Sequence, residues 1–197
     1  MKPKTRIALR RLELAGTRVF LRVPDESDLK EFMALNRRSK PFHRGLVAPP
    51  VNAEQFRSYL ERSRREDSAS FMICRLEDDG IVGAINLSQI FRAGFQSAYL
   101  GYFIGVKHAG KGYATEALQL MLKHAFKELK LHRVEANIQP GNVASVALVK
   151  RAGFVREGYS RCYLKISGRW RDHERWALLA QDWMPLTAGR FEREERR

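Results

Sequence analysis

The sequence predicts one α/β (α+β) domain, a mixed and mostly antiparallel twisted sheet with helices on both faces. Three observations carry that prediction. Apolar periodicity resolves into the order β-α-α-β-β-β-α-β-α-β-β, a hairpin meander giving way to helix crossovers. Asp79-Gly80 divides two apolar runs, a strong hairpin signal. Gly110 and Gly112 stand mid-chain between a strand and a helix, whereas a doubly wound parallel sheet would carry them near its start.

Each element has its own local signal. TRVFLRV (17–23) reads as the first strand, and PDESDLKEFMALNRR (24–38) as a helix with acidic residues in its first turn. NAEQFRSYLERSRRE (52–66) is a second helix, with Asn52 as N-cap and Phe56, Tyr59 and Leu60 on one face. ASFMICRLEDDGIVGAINLSQI (69–90) is the hairpin. AYLGYFIGV (98–106) is aromatic and β-branched enough for a buried strand. After it, Ala114, Leu118, Met121, Leu122, Ala125 and Leu129 recur at helical spacing. LHRVEANIQ (131–139) is a strand, and NVASVALVKRAGF (142–154) a short helix ended by Gly153. FVREGYSRCYLKI (154–166) turns at Ser167-Gly168 into the last strand, RWRDHERWALLA (169–180). The expected organisation is a basic arm over 1–13, one domain over 14–183 and a frayed charged tail over 184–197.

The chain has 197 residues, 44% apolar and 29% charged, which suits one well-cored globular domain. No apolar run approaches the ~20 residues that span a bilayer. The opening MKPKTRIALRRLEL is basic but lacks the apolar core of a secretory signal. Cys74 and Cys162 lie far apart in predicted strands, as packed thiols and not as a disulfide or metal pair. A cytoplasmic protein is expected. The net charge of +14 favours anionic partners: coenzyme phosphates, acidic proteins or RNA. The cations are spread from end to end, however, as on a solvated basic surface, and accompany no zinc finger, helix-turn-helix or aromatic RNA motif.

Strand, glycine loop and helix in that order make an anion cradle, because free N–H groups and the peptide dipoles converge at a helix N-terminus. Gly105 to Lys111 matches the first seven positions of a P-loop, but Gly112 replaces the hydroxyl that holds magnesium. A Rossmann fingerprint fails at Thr115, where a third glycine belongs. Both motifs also belong near the start of a βαβ unit, not mid-chain.

With this element order the residues resemble the GNAT N-acetyltransferase superfamily. Its loop, Arg/Gln-x-x-Gly-x-Gly/Ala, is filled by Lys107-His108-Ala109-Gly110-Lys111-Gly112, with Lys replacing the first residue. Its second block, an Asn followed by a helix ending in Gly-Phe, is Asn142 through Gly153-Phe154. The resemblance narrows to the RimJ-type ribosomal-protein-alanine N-acetyltransferases on YLGYFIG, GKGYATEAL, HRVEANIQPGNVAS, RAGFVREGY and YLKISGRWRDH, in unbroken order. It spans roughly 14–183 and is dense from Tyr99 to His173.

The resemblance implies acetyl-CoA as cosubstrate and no metal. Amides from Lys107 to Ala114, Tyr113 included, would hold the pyrophosphate. The backbone of Phe103, Ile104 and Val106 would take pantetheine as an added strand, with an amide near Ile104 polarising the thioester. Asn142 would bind the pantetheine arm, and is equally good as a helix N-cap. Many relatives protonate the leaving thiolate with a Tyr where this chain has Val149; Ser145, one turn past Asn142, takes that role here. For the base the resemblance leaves Glu135, Asp172 or His173, or an ordered water. A protein α-amine, with pKa about 8, demands less of a base than a lysine near 10.4. Tyr102, Tyr163, Trp170 and Asp172 would surround the acceptor. The implied reaction is direct acetyl transfer to an N-terminal amine, alanine on a small-subunit ribosomal protein. A small-amine acetyltransferase is one alternative. A ribosome- or RNA-binding factor using Lys2, Lys4, Arg6, Arg10 and Arg11 is the other.

Overall fold

The computed structural model describes residues 14–185; the expected basic arm and all but the first two residues of the expected tail lie outside them. The element order matches the expectation. Seven strands form one sheet: β1 (Val19–Arg22), β2 (Ser68–Arg75), β3 (Ile81–Phe91), β4 (Ser97–Ile104), β5 (Arg133–Ile138), β6 (Val155–Ile166) and β7 (Arg169–Leu179). Their spatial order is β1-β2-β3-β4-β5-β7-β6. Among the described residues β4 and β5 make the one parallel pairing, and the sheet is otherwise antiparallel.

Helices α1 (Leu29–His43) and α2 (Ala53–Ser63) cover one face. Phe32, Phe56 and Leu60 pack there on Phe20, Met72 and Ala84. Helices α3 (Tyr113–Lys123) and α4 (Val143–Arg151) cover the other, over Leu21, Ile85, Leu100 and Val134. The caps follow the sequence. Asn52 Oδ1 accepts the Gln55 N–H at 2.9 Å, and Gly153, at φ +92°, ends α4. α3 runs on through a π turn, His124–Glu128, where Leu129 N–H donates five residues back to His124 O.

Two expectations change. α1 continues to His43 with Pro41 in its last turn, past the predicted end at Arg38. Proline costs a helix one hydrogen bond, and tertiary contacts from Ser39 and His43 to the end of β4 offset it. Of the two cysteines only Cys74 is a packed thiol; Cys162 is exposed, at positive φ in an irregular stretch of β6.

β1 is fixed to α3 by one buried carboxylate. Glu116, 4% exposed, accepts the N–H groups of Arg18 (2.8 Å) and Val19 (3.3 Å), together with Arg18 Nε and Thr17 Oγ1. A Cβ at Gly16 would sit 2.0 Å from its Oε1, so the chain can pass here only as glycine.

Candidate active site

β4 and β5 stay paired for three residues, ending at Tyr99–Glu135. Beyond that point they part, and a cavity of about 1050 Å³ opens between them. The ladder decides which backbone groups face this wedge. Gly105 N–H donates to Val82 O, and groups aimed at one neighbour recur at every second residue. Those of Phe103 and Gly101 therefore point to β3, and those of Leu100, Tyr102 and Ile104 to the wedge. The backbone of Phe103, expected to help hold pantetheine, is thus engaged with β3.

α1 clamps the end of β4. His43 Nε2–H donates to Ile104 O at 3.0 Å, and Val106 N–H donates to Ser39 Oγ at 3.0 Å. A carbonyl can only accept, so His43 is held with its proton on Nε2. Burial pushes its pKa down, which keeps it neutral.

The glycine loop closes one end of the cavity. Gly110 (φ +73°) and Gly112 (φ +75°) are both left-handed, a conformation that side chains with a Cβ avoid. Among the described residues, a Cβ on Gly110 would meet nothing within 4 Å beyond its chain neighbours, so that side of the loop has room for a ligand. Inside the loop, His108 N–H donates to Gly105 O and Ala109 N–H to Val106 O. Of the amides in the expected 107–114 run, those of His108 and Ala109 are therefore engaged within the loop. Among the described residues no hydrogen bond takes the N–H groups of Gly110 to Thr115, which form the loop's end and the first turn of α3. Arg18 reaches the same place from the start of β1: Nη1 donates to Lys111 O at 3.2 Å, and the guanidinium lies 5.9 Å from the Tyr113 ring centroid. Lys107 and His108 precede these amides on a 3₁₀ turn, and His108 and Lys111 line the cavity.

On the α4 side Asn142 is the N-cap, its Oδ1 accepting the Ser145 N–H at 3.2 Å. The cap occupies the carboxamide oxygen and leaves the NH₂ for a ligand. Ser145 lines the cavity one turn on, and Tyr102 OH donates to its carbonyl at 3.4 Å. Burial pushes the Tyr102 phenol up to about 12, so it stays protonated. Val149 is fully buried and takes no part in the cavity lining.

The remaining predicted residues separate. Tyr163 lines the cavity beside His173, with ring centroids 5.9 Å apart. His173 is 2% exposed, and its Nδ1–H donates to Arg171 O at 3.0 Å, which in the neutral ring puts the lone pair on Nε2. Strand alternation puts its neighbours Asp172 and Trp170 on the opposite face of β7. Asp172 is held there by Tyr159 OH (2.6 Å) and Cys162 N–H (2.8 Å), which keep its carboxyl below the usual carboxylate range. Trp170 is 61% exposed. Neither lines the cavity. Glu135 is also outside the lining, ion-paired at 2.8 Å with Arg133, which bonds Glu157 as well.

Residues from distant segments complete the walls. Phe42, His43 and Leu46 come from the end of α1 and its loop, Asn86 from β3, Asn137 from β5 and Gln139 from just past its end. Gln139 Nε2–H fastens that loop by donating to Gly45 O at 2.7 Å. Among the described residues no Asp or Glu lines the cavity, whereas Arg18, Lys111, Arg151 and Lys165 do. Nor do the described residues hold a His, Cys, Asp and Glu cluster fit for a metal, or a helix long and apolar enough to cross a membrane.

Residues 18–155 match the family model described as "Acetyltransferase (GNAT) domain". The chain is 34% identical over 179 residues to "Probable N-acetyltransferase YjcK" of Bacillus subtilis, covering 86% of this chain and 98% of that one. It is 42% identical over 109 residues to the ribosomal protein uS5 alanine N-acetyltransferase of Escherichia coli; that match spans 55% of this chain and 56% of the other. Among solved structures, RimJ of Mycobacterium smegmatis in complex with CoA-disulfide superposes with a TM-score of 0.79 at 27% identity, covering 90% of each chain. A sheet that splays beside a glycine loop of free amides, in a chain matched from Arg18 to Val155, has one reading: the protein belongs to the GNAT acetyltransferase family.

Proposed function

We propose that this acetyltransferase moves the acetyl group of acetyl-CoA to the N-terminal amine of a small-subunit ribosomal protein in the cytoplasm, alanine being the first residue. The observation that carries this reading is the lining of the acceptor side: aromatic rings, carboxamides and histidines, with no carboxylate among the described residues. A polyamine or aminoglycoside brings several ammonium groups, and a wall without a carboxylate gives them no counter-charge. A protein N-terminus brings one amine that is largely neutral near its pKa of about 8. The likeness to the uS5 alanine N-acetyltransferase supports the same acceptor.

The residues fit the coenzyme. Free amides from Gly110 to Thr115, with Arg18 and Lys111 beside them, suit the pyrophosphate. The wedge-facing groups of Tyr102 and Ile104 suit pantetheine, as does the carboxamide NH₂ of Asn142. Bound acetyl-CoA supplies a thioester carbonyl for direct attack by the amine. The Ile104 N–H polarises that carbonyl. His173, through Nε2, takes the proton that the amine loses on attack, a role for which Asp172 and Glu135 are badly placed. The Ser145 hydroxyl donates to the departing thiolate.

A panel of peptides differing only at residue one tests this, assayed beside spermidine, free lysine and an aminoglycoside. Ala- and Ser-initiated peptides are acetylated fastest, and bulky first residues are excluded by Tyr163 and Phe42. Faster acetylation of the aminoglycoside, spermidine or the lysine side chain refutes the acceptor. Mass spectrometry of ribosomal proteins from cells with and without the enzyme then identifies the lost acetyl group.

A further inference from the structure

Asn86, Gly101 and Asn137 stand at one level across three strands. Asn86 faces Gly101 in the β3–β4 ladder. The β4–β5 pairing ends at Tyr99–Glu135, and two residues further along each strand come Gly101 and Asn137. Ile85, Leu87, Leu100, Ala136 and Ile138, which flank them in sequence, all enter the core beneath α3 and α4. Alternation therefore turns Asn86, Gly101 and Asn137 to the α1 face, where all three line the cavity. His173 shares that face, two residues from Arg175, the register partner of Asn137.

The glycine leaves a notch between the two carboxamides. A Cβ there would stand 3.1 Å from Asn86 Oδ1. Across the notch Asn137 Oδ1 is buried and has no hydrogen-bond partner among the described residues. Buried polar atoms in folded proteins are almost always paired, so an orphaned oxygen in a cavity wall marks the place of a ligand donor.

We propose that this notch is a subsite for the first peptide group of the acceptor. Asn137 Oδ1 accepts the N–H of the second residue, and the Asn86 carboxamide NH₂ donates to the carbonyl of the first. A peptide group offers one donor and one acceptor, and a carboxamide offers the complement of each. The pair holds the α-amine beside His173 at the mouth of the wedge. It also rejects a free amino acid, whose carboxylate has no N–H to give, and a polyamine, which has no carbonyl. The assignment rests on the reading of the acceptor as a protein N-terminus.

The test uses the full-length enzyme and two acceptors of one sequence: an Ala-initiated peptide, and the same molecule with an ester oxygen replacing the first peptide N–H. The wild-type enzyme loses about 10- to 100-fold in kcat/KM on the ester, the range for a ligand hydrogen bond that leaves a buried acceptor unpaired. Asn137→Ala loses a similar factor on the peptide, carried by KM and not kcat. It loses nothing further on the ester, and its acetyl-CoA affinity is unchanged. Gly101→Ala fills the notch and raises the KM of the peptide likewise. Equal wild-type kcat/KM on peptide and ester overturns the subsite while leaving the acceptor reading standing, and needs no variant to fold. An Asn137→Ala loss of equal size on both acceptors overturns it too. If spermidine or free lysine outcompetes the peptide, acceptor reading and subsite fall together.

Discussion

The two ends of the cavity are built in opposite ways. The end proposed for the coenzyme is mostly backbone: a run of amides from Gly110 to Thr115, shaped by two left-handed glycines and the first turn of α3. The end proposed for the acceptor is side chains, drawn from α1, β3, β5 and the β6–β7 hairpin, over residues from Phe42 to His173. Backbone recognition lets a phosphate be held by chain shape, so one dihedral governs several hydrogen bonds at once. Side-chain recognition divides the work, so each residue affects a separate step. Damage to the first end should be nearly all-or-none, and damage to the second should split cleanly between KM and kcat.

The largest effect is expected at the loop. Gly112→Val forces a β-branched residue into φ near +75° and turns the amides of the first helical turn. Losing two charge-assisted hydrogen bonds to the pyrophosphate weakens acetyl-CoA about 100-fold or more. Calorimetry on a variant with an unchanged far-UV spectrum measures it. Wild-type affinity in that folded variant would show that the loop does not hold the phosphates. Chelating magnesium leaves the affinity of the native enzyme where it was.

At the other end the effects are smaller and separable. His173→Gln and Ser145→Ala should each lower kcat by about 100-fold, the lower end of the range for a general base or acid, with acetyl-CoA affinity preserved. The two differ in what restores them. Raising the pH supplies hydroxide to take the proton in place of the imidazole and narrows the His173→Gln deficit, whereas the Ser145→Ala deficit stays, because the thiolate still lacks its donor. A loss of coenzyme affinity in Ser145→Ala would instead make it a binding residue, and normal kinetics in either variant would remove that residue from the reaction.

The contrast between the ends also explains what could be read from the sequence. The element order, the Asn52 cap, the Asp79-Gly80 hairpin and the glycine loop are local, and local signals need no partner. The end of α1 escaped because Pro41 reads as a stop, while the contacts that extend the helix lie on β4, more than sixty residues away. Arg18 was one arginine in a strongly basic chain, given away only by the distant loop it touches. Asn86 was an isolated polar residue in an apolar strand; the alternation of β5 sets Asn137 apart from Val134, Ala136 and Ile138, but nothing local tells what covers that face. Asp172 and His173 show the difficulty most plainly. They are adjacent, each with plausible chemistry, and the register of β7 against β5 decides which one meets the cavity. Trp170 goes with Asp172 for the same reason.

The smallest effect is expected at the cysteines, and it bears on whether the two ends must be filled together. Direct attack requires coenzyme and acceptor in the cavity at once; an acetyl-cysteine would let them take turns. Cys74 is fully buried in the core beneath α1 and α2, and burial pushes its thiol up to about 12, so almost no thiolate exists at neutral pH. Cys162 is exposed on β6, and its backbone N–H bonds Asp172 on the face turned away from the cavity. Neither lines the wedge. The double variant Cys74→Ala, Cys162→Ala should therefore keep kcat within a few-fold, with a modest drop in melting temperature from the space left in the core. Initial rates against both substrates should give intersecting double-reciprocal lines, the pattern of a ternary complex. Parallel lines, or an acetylated enzyme trapped before acceptor is added, would mean that the two ends work in sequence through a covalent intermediate.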